Sequence, residues 1–143
     1  MRLPRKKGFS LIELMVVILI IGLLATIVVV NVTPFLQRAY EEKVRADFSQ
    51  ISQALTLYRL NERRYPNTQE GLQALISPSE QLTRPQLFPD DGYISRLPID
   101  PWDRPYQYQS PGEHDNDYDL FTLGADGIEG GTGENRDIGN WMQ

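Results

Sequence analysis

The sequence predicts an α+β fold in which one long N-terminal helix, transmembrane in its first half, packs on a small antiparallel sheet. Three observations carry this expectation. An apolar run from Phe9 to Val30 passes directly into a segment whose hydrophobic residues recur at helical spacing. Two short stretches, 105–109 and 118–122, alternate in the manner of strands. A glycine-rich, acidic stretch follows them and suits a backbone-rich loop. With 143 residues there is room for one modest domain and an anchor.

The apolar run is interrupted only by Ser10, Glu13, Gly22 and Thr26. Its 22 residues reach roughly 33 Å as a helix, close to a bilayer's hydrocarbon thickness of about 30 Å. Arg2, Arg5, Lys6 and Lys7 precede it, so the positive-inside bias predicts a cytoplasmic N-terminus. A secretory signal peptide would have a shorter apolar region ending at a small-residue cleavage site, and none is evident. Beyond the run, Tyr40, Val44, Phe48, Ile51, Leu55 and Tyr58 fall on one helical face, with charged and amide residues between them. Pro34 predicts a kink near the membrane exit, and Gly22 and Pro34 together leave open either a partly melted stretch or an intact, kinked helix. Tyr65-Pro66-Asn67 ends the helix.

A short second helix is expected from Thr68 to Ile76, stopped by Pro78, and then a surface loop from Ser77 to Tyr93 carrying three prolines and Gly92. Pro105–Gln109 and Tyr118–Thr122 are the expected antiparallel strands. From Leu123 to Trp141 the six glycines argue against any regular element.

Charge is uneven along the chain. Of nineteen acids, twelve lie from Asp90 onward, opposed there only by Arg96, Arg104 and Arg136. Loss of the first eight residues would leave ten basic side chains against nineteen acidic, which disfavours a nucleic-acid partner. The absence of cysteine excludes a disulfide framework and thiolate metal sites and is compatible with either redox compartment.

The segment Lys6-Lys7-Gly8-Phe9-Ser10-Leu11-Ile12-Glu13-Leu14 is the most informative. A carboxylate inside a lipid-compatible helix is costly, about 2.5 to 3.5 kcal/mol for Asp at mid-membrane, so Glu13 needs a partner, protonation, or a route to the headgroup region. These residues resemble the class III signal shared by type IV pilins and type II secretion pseudopilins. The resemblance implies cleavage by a prepilin peptidase between Gly8 and Phe9 and methylation of the new amine on Phe9. It also implies an assembly role for Glu13. The ammonium on one subunit and the Glu13 carboxylate of the next would offset each other's desolvation and select the register.

The stretch from Leu123 to Trp141 is oxygen-rich and sulfur-free. Two carboxylates flanking a glycine-rich excursion suit a hard cation, although a solvated acidic turn has the same composition. The spacing is not that of an EF-hand. Leu-Gly-Ala-Asp-Gly ending in Asp-Ile-Gly-Asn-Trp is similar to the calcium loop of major pseudopilins. That resemblance implies side-chain ligation by Asp126 and Asp137 and carbonyl ligation by Leu123 and Ile128, with Asn135 as a fifth candidate. The segment from Leu97 to Tyr108 also resembles that family, where Asp-Pro-Trp-Gly-x-Pro-Tyr is usual; here Asp103 replaces the glycine. Trp102, Tyr106 and Tyr108 read most simply as packing residues. His114 reads as a solvated loop residue, and the run Glu113, Asp115, Asp117, Asp119 as a solvent-facing turn. No catalytic constellation emerges, so no enzyme is expected.

The resemblance to the major pseudopilins of type II secretion systems covers nearly the whole chain. It implies a leader at 1–8, a transmembrane and assembly helix at 9–32, its amphipathic continuation at 33–62, and a periplasmic domain at 63–143 with a calcium loop at 123–141. The implied location is the inner membrane, single-pass, with a cytoplasmic N-terminus. The implied function is that of a homopolymeric pseudopilus subunit that drives export of folded proteins. Minor pseudopilins, prepilin peptidase, the inner-membrane assembly platform and the membrane are the implied partners. The alternatives are a type IV pilin subunit and, from another class, a membrane-tethered calcium-binding or hydrolytic domain.

Overall fold

The computed structural model describes residues 8–114 and 117–142, without side chains at 27–33; the leader up to Lys7 and Asp115 lie outside the described residues. The chain divides into two units, Met1–Leu36 and Gln37–Gln143. One helix, α1, spans Leu11–Glu62 and is helical through Gly22 and Pro34. In the first unit its described apolar side chains, from Leu11 to Leu24, are all exposed, and Phe9 is 82 % exposed. Apolar residues on every face leave such a helix without a water-compatible side. Among the described residues no helix is long and apolar enough to cross a membrane. Side-chain description in this run stops at Thr26, short of the expected end of the span at Val30.

In the second unit α1 supplies the spine of the core. Val44, Phe48, Ile51, Leu55 and Tyr58 are fully or almost fully buried, at the three- and four-residue spacing that puts them on one face. They pack with Leu72, Leu75, Ile94, Tyr106 and Leu120, each such side chain worth about 1.5 to 3 kcal/mol when wholly removed from water. Edge-to-face aromatic pairs, Phe48 with Tyr106 and Tyr58 with Tyr93, close the contact between the helix and the segments laid over it. Trp102, Tyr106 and Tyr108 are packing residues as expected: Trp102 meets the edge of Tyr40, the Tyr106 hydroxyl donates to Asp47, and that of Tyr108 donates to the Pro66 carbonyl.

The helix ends because Arg63 turns left-handed at φ 61°, its N–H donating to the Arg59 carbonyl at 2.7 Å. The expected helix from Thr68 to Ile76 is instead a turn followed by a short 3-10 helix, Leu72–Leu75. Gly71 at φ 57° breaks the path, and the Asn67 and Glu70 side chains each accept the other's backbone N–H at 2.9 Å, fixing the turn. Glu62, buried at the helix end, accepts both the N–H and the hydroxyl of Thr83 and so ties down the 77–93 excursion. A 3-10 helix, Pro85–Leu87, lies within that loop.

Glu70 is the ionic hub of this region. Its side chain is only 2 % exposed, and it receives the Arg64 guanidinium and the Ser79 hydroxyl. The Arg64 hydrogen bond holds its carboxyl at about 2, against burial, which raises it. A folded value below the ordinary 4.5 means that ionisation stabilises the fold above that pH and that the contribution disappears as pH falls toward 2. Glu70→Gln is therefore expected to lower stability at pH 7 by on the order of 3 kcal/mol. Denaturation curves of the two proteins should converge on acidification between about pH 4.5 and 2.

Strands β1 (Gln107–Gln109) and β2 (Asp119–Thr122) pair antiparallel, with Tyr108 opposite Leu120, as the alternation predicts. A third strand, β3 (Ile138–Gly139), pairs with β2 and corrects the expectation that 123–141 holds no regular element. Its length explains why composition hid it. Asn140 continues the pairing by side chain, accepting from the Leu120 N–H and donating to the Tyr118 carbonyl, both at 3.1 Å. Gly139 is required for a separate reason: a Cβ there would lie 2.4 Å from the Trp141 ring.

His114 is an exposed loop residue as expected, and of the acidic run Glu113 and Asp117 are exposed while Asp119 departs from the expectation. His114 stacks on Trp141 with centroids 3.8 Å apart, and its Nδ1 lies 2.7 Å from Asp119 Oδ2. Asp119 is buried at the start of β2 rather than solvent-facing. Burial raises its carboxyl, but hydrogen bonds from His114 and from the Glu113 N–H outweigh it and hold the group below its usual range.

Candidate functional site

Two places in the chain carry the residues singled out by the sequence. The first is the head of α1. Gly8 has open space around it, and Phe9 is extruded into solvent. Ser10 and Glu13 form a reciprocal cap: the Ser10 N–H donates to Glu13 Oε2 at 2.8 Å, and the Glu13 N–H donates to Ser10 Oγ at 3.3 Å. This pairing went unremarked in the sequence although Ser-x-x-Glu before an apolar run is its signature. The cap places the carboxylate at the helix start, beside the residue whose amine cleavage would free. Among the described residues only one carboxylate oxygen is engaged, and the other remains available to an incoming cation.

The second place is the loop between β2 and β3. Asp126 Oδ1 accepts the Ile128 N–H at 3.1 Å, forming a tight Asx turn that leaves the Ile128 side chain outside. Asp137 Oδ2 accepts the Gly130 N–H at 2.8 Å. The two limbs of the loop touch where the Ala125 N–H donates to the Glu134 carbonyl at 2.9 Å. Gly124, at φ 65°, permits that approach: a Cβ there would lie 2.7 Å from the Asn135 carbonyl carbon. The structure thus brings Gly124 and Ala125, between Leu123 and Asp126, against Glu134 and Asn135, and Gly130 against Asp137. For Asn135 it is the main chain that makes the approach, at the end of a 3-10 turn, Gly133–Asn135.

Asp137 Oδ1 is buried with no hydrogen-bond partner among the described residues. An unmet buried oxygen costs about 1 to 3 kcal/mol, more when charged, unless something satisfies it. A hard cation would, since such ions take oxygen ligands. No three carboxylate or imidazole side chains converge among the described residues. A cation at Asp137 would therefore take few carboxylates and complete its shell with main-chain carbonyls, a chemistry that fits the calcium set the resemblance implies.

Beneath the loop sits a turn the sequence undervalued. Asp100, 2 % exposed, accepts the N–H groups of Trp102 and Arg104 on Oδ1 at 3.0 and 2.8 Å, and the Thr122 hydroxyl on Oδ2 at 2.6 Å. An Asp opening a Pro-containing turn was the available signal. Asp103, where pseudopilins usually have glycine, adopts φ 62°, so the substitution keeps the left-handed turn. Asp tolerates that region and β-branched residues do not; Asp103→Val is expected to lower stability by about 1 to 2 kcal/mol in urea denaturation, with Asp103→Gly near neutral.

A long N-terminal helix headed by an acid-bearing apolar segment, over a small antiparallel sheet closed by an oxygen-rich loop, defines a pilin-like subunit. The family model described as type II secretion system (T2SS), protein G, matches residues 31–141, and that of the prokaryotic N-terminal methylation motif matches residues 3–29. Type II secretion system core protein G of Pseudomonas aeruginosa is 43% identical over 141 residues, covering 99% of both chains. That of Klebsiella pneumoniae is 45% identical over 139 residues, covering 97% of this chain and 96% of its own. The crystal structure of the major pseudopilin from the type 2 secretion system of enterohaemorrhagic Escherichia coli superposes with a TM-score of 0.67 at 38% identity, covering 79% of this chain and 96% of that one. The chain belongs to the type II secretion system protein G family, that of the major pseudopilin, as the resemblance implied.

Proposed function

We propose that this chain is the repeating subunit of a periplasmic pseudopilus, held in the inner membrane by its apolar helix until it is polymerised. Prepilin peptidase cuts after Gly8 and methylates the amine of Phe9. The Glu13 carboxylate then receives the amine of a neighbouring subunit, which sets the axial register of the growing filament. Minor pseudopilins and the inner-membrane assembly platform are its working partners, and export of folded proteins is the outcome.

The observation that carries this reading is the single acid at the head of a helix whose described apolar side chains from Leu11 to Leu24 are all exposed. Such a surface must be covered by lipid or by like helices, and an isolated acid within it demands a cation of the same register. Calcium is proposed for the loop, held by Asp126 and Asp137 through their carboxylates and by Leu123 and Ile128 through their carbonyls, with Asn135 alongside. The ion supplies positive charge to two otherwise uncompensated aspartates and so pins the loop to the sheet.

Intact mass and N-terminal sequencing of protein extracted from membranes test the processing. A chain beginning at an N-methylated Phe9 is expected. One that keeps Met1, or begins at a small residue beyond the apolar run, is incompatible with the proposal.

A further inference from the structure

We infer that Arg104 is the positioning residue of the cation loop, a fixed guanidinium that sets the main chain between Leu123 and Asp126 and decides which carbonyls are left for the ion. The inference rests on the calcium reading above. Arg104 Nη1 donates to the Gly124 carbonyl at 2.8 Å and Nη2 to the Ala125 carbonyl at 2.5 Å. A planar fork with two parallel donors fixes two successive peptide groups at once, which a single ammonium cannot do. Gly127 admits the group, since a Cβ at that position would lie 2.5 Å from Nη1.

The root of the side chain is equally fixed. The Arg104 N–H donates to Asp100, and the Asp100 N–H donates back to the Arg104 carbonyl at 2.8 Å. Asp100 is in turn bonded to Thr122, the last residue of β2 and the neighbour of Leu123. The turn, the strand end and the first limb of the loop therefore form one hydrogen-bonded ring that closes through the guanidinium.

Where the charge goes is as informative as where it is held. A guanidinium that reaches an aspartate-bearing loop can pair with its carboxylates and compete with a metal. Here it is turned onto neutral carbonyls, and among the described residues neither Asp126 nor Asp137 takes part in an ion pair. The carboxylates stay uncompensated, and the carbonyls of 124 and 125 are withdrawn from the ion. On this limb the guanidinium bonds no other carbonyl among the described residues, which leaves those of 123 and 126–128 for the ion.

Calcium titration calorimetry on the full chain in detergent micelles tests the role, comparing the parent with Arg104→Gln and Arg104→Lys. Outer partners of metal ligands typically govern affinity by about 10- to 100-fold, so Arg104→Gln should raise the calcium Kd by at least about tenfold. Arg104→Lys, able to serve one carbonyl at a time, should fall between. Amide exchange in excess EGTA supplies a readout that does not involve the ion: residues 124–128 should exchange faster in the variants while the α1 core amides from Val44 to Tyr58 are unchanged. If Arg104→Gln does not fold without calcium, the Lys variant carries the comparison. Parent-like Kd and exchange in the folded variants overturn the inference and leave the calcium reading standing. A parent chain that takes up no calcium overturns both, and the two failures are thus distinguishable.

Discussion

Glu13→Val is expected to abolish filament growth and reduce export of folded cargo by at least about tenfold, while the subunit still inserts in the membrane. The cause is the uncompensated ammonium. On the proposed processing each added subunit would carry a charged Phe9 amine into an apolar bundle, and an unpaired buried charge costs about 3 to 5 kcal/mol even when its surroundings relax. With the carboxylate gone, every addition bears that penalty, and neighbouring helices lose the polar mark that distinguishes one register from the next. The variant also loses the cap on α1, but a cap is worth about 1 kcal/mol and lies at the exposed start of a long helix, so folding of the second unit should be untouched. Glu13→Gln separates the two roles. It can still accept the Ser10 N–H, and it cannot neutralise the amine. Normal export by Glu13→Gln would mean that capping, and not charge pairing, is what Glu13 provides.

Calcium removal should produce the second large effect. If the ion binds the folded loop and not the unfolded chain, stabilisation follows mass action and reaches about 2.7 kcal/mol at a calcium concentration 100-fold above Kd. For a unit the size of Gln37–Gln143 that corresponds to a fall in melting temperature of roughly 10 to 20 °C in excess EGTA. Asp137→Ala should abolish the calcium-dependent shift. It also deletes the buried Oδ1 that lacks a partner, so the variant should melt near the EGTA-treated parent and not far below it. An Asp137→Ala protein that still gains several degrees on calcium addition would place the ion elsewhere. The loop is also tied to α1 by the Arg136–Glu41 ion pair at 3.1 Å.

What the sequence disclosed, and what it withheld, follow from how local each signal is. The helical face from Val44 to Tyr58 was legible because its burial repeats with the helix period over four turns. Strands β1 and β2 were legible from alternation. β3 was not, since two residues are too few to show a period and one of them is the glycine that makes room for Trp141. The Thr68–Ile76 helix was mistaken because apolar spacing outweighed Gly71, whose positive φ decides the matter. At the candidate sites the acids could be read directly, as Glu13, Asp126 and Asp137 are chemically conspicuous. Their supports could not. Ser10 is three residues from Glu13 and was readable in principle, whereas Asp100 and Arg104 reach Thr122 and Gly124 across some twenty residues of chain, a closeness that only the folded sheet creates. His114 shows the same limit: nothing local announces that it will bond Asp119 and stack on Trp141.

Zero-length coupling addresses the intersubunit pair most directly. A membrane-permeant carbodiimide, applied to assembled filaments and followed by peptide mass spectrometry, converts a carboxylate touching an amine into an amide. The account predicts a bond between the Phe9 nitrogen of one subunit and Glu13 of another, lost in Glu13→Gln. Coupling confined within single chains, or no Phe9–Glu13 product from filaments that still export cargo, would contradict it.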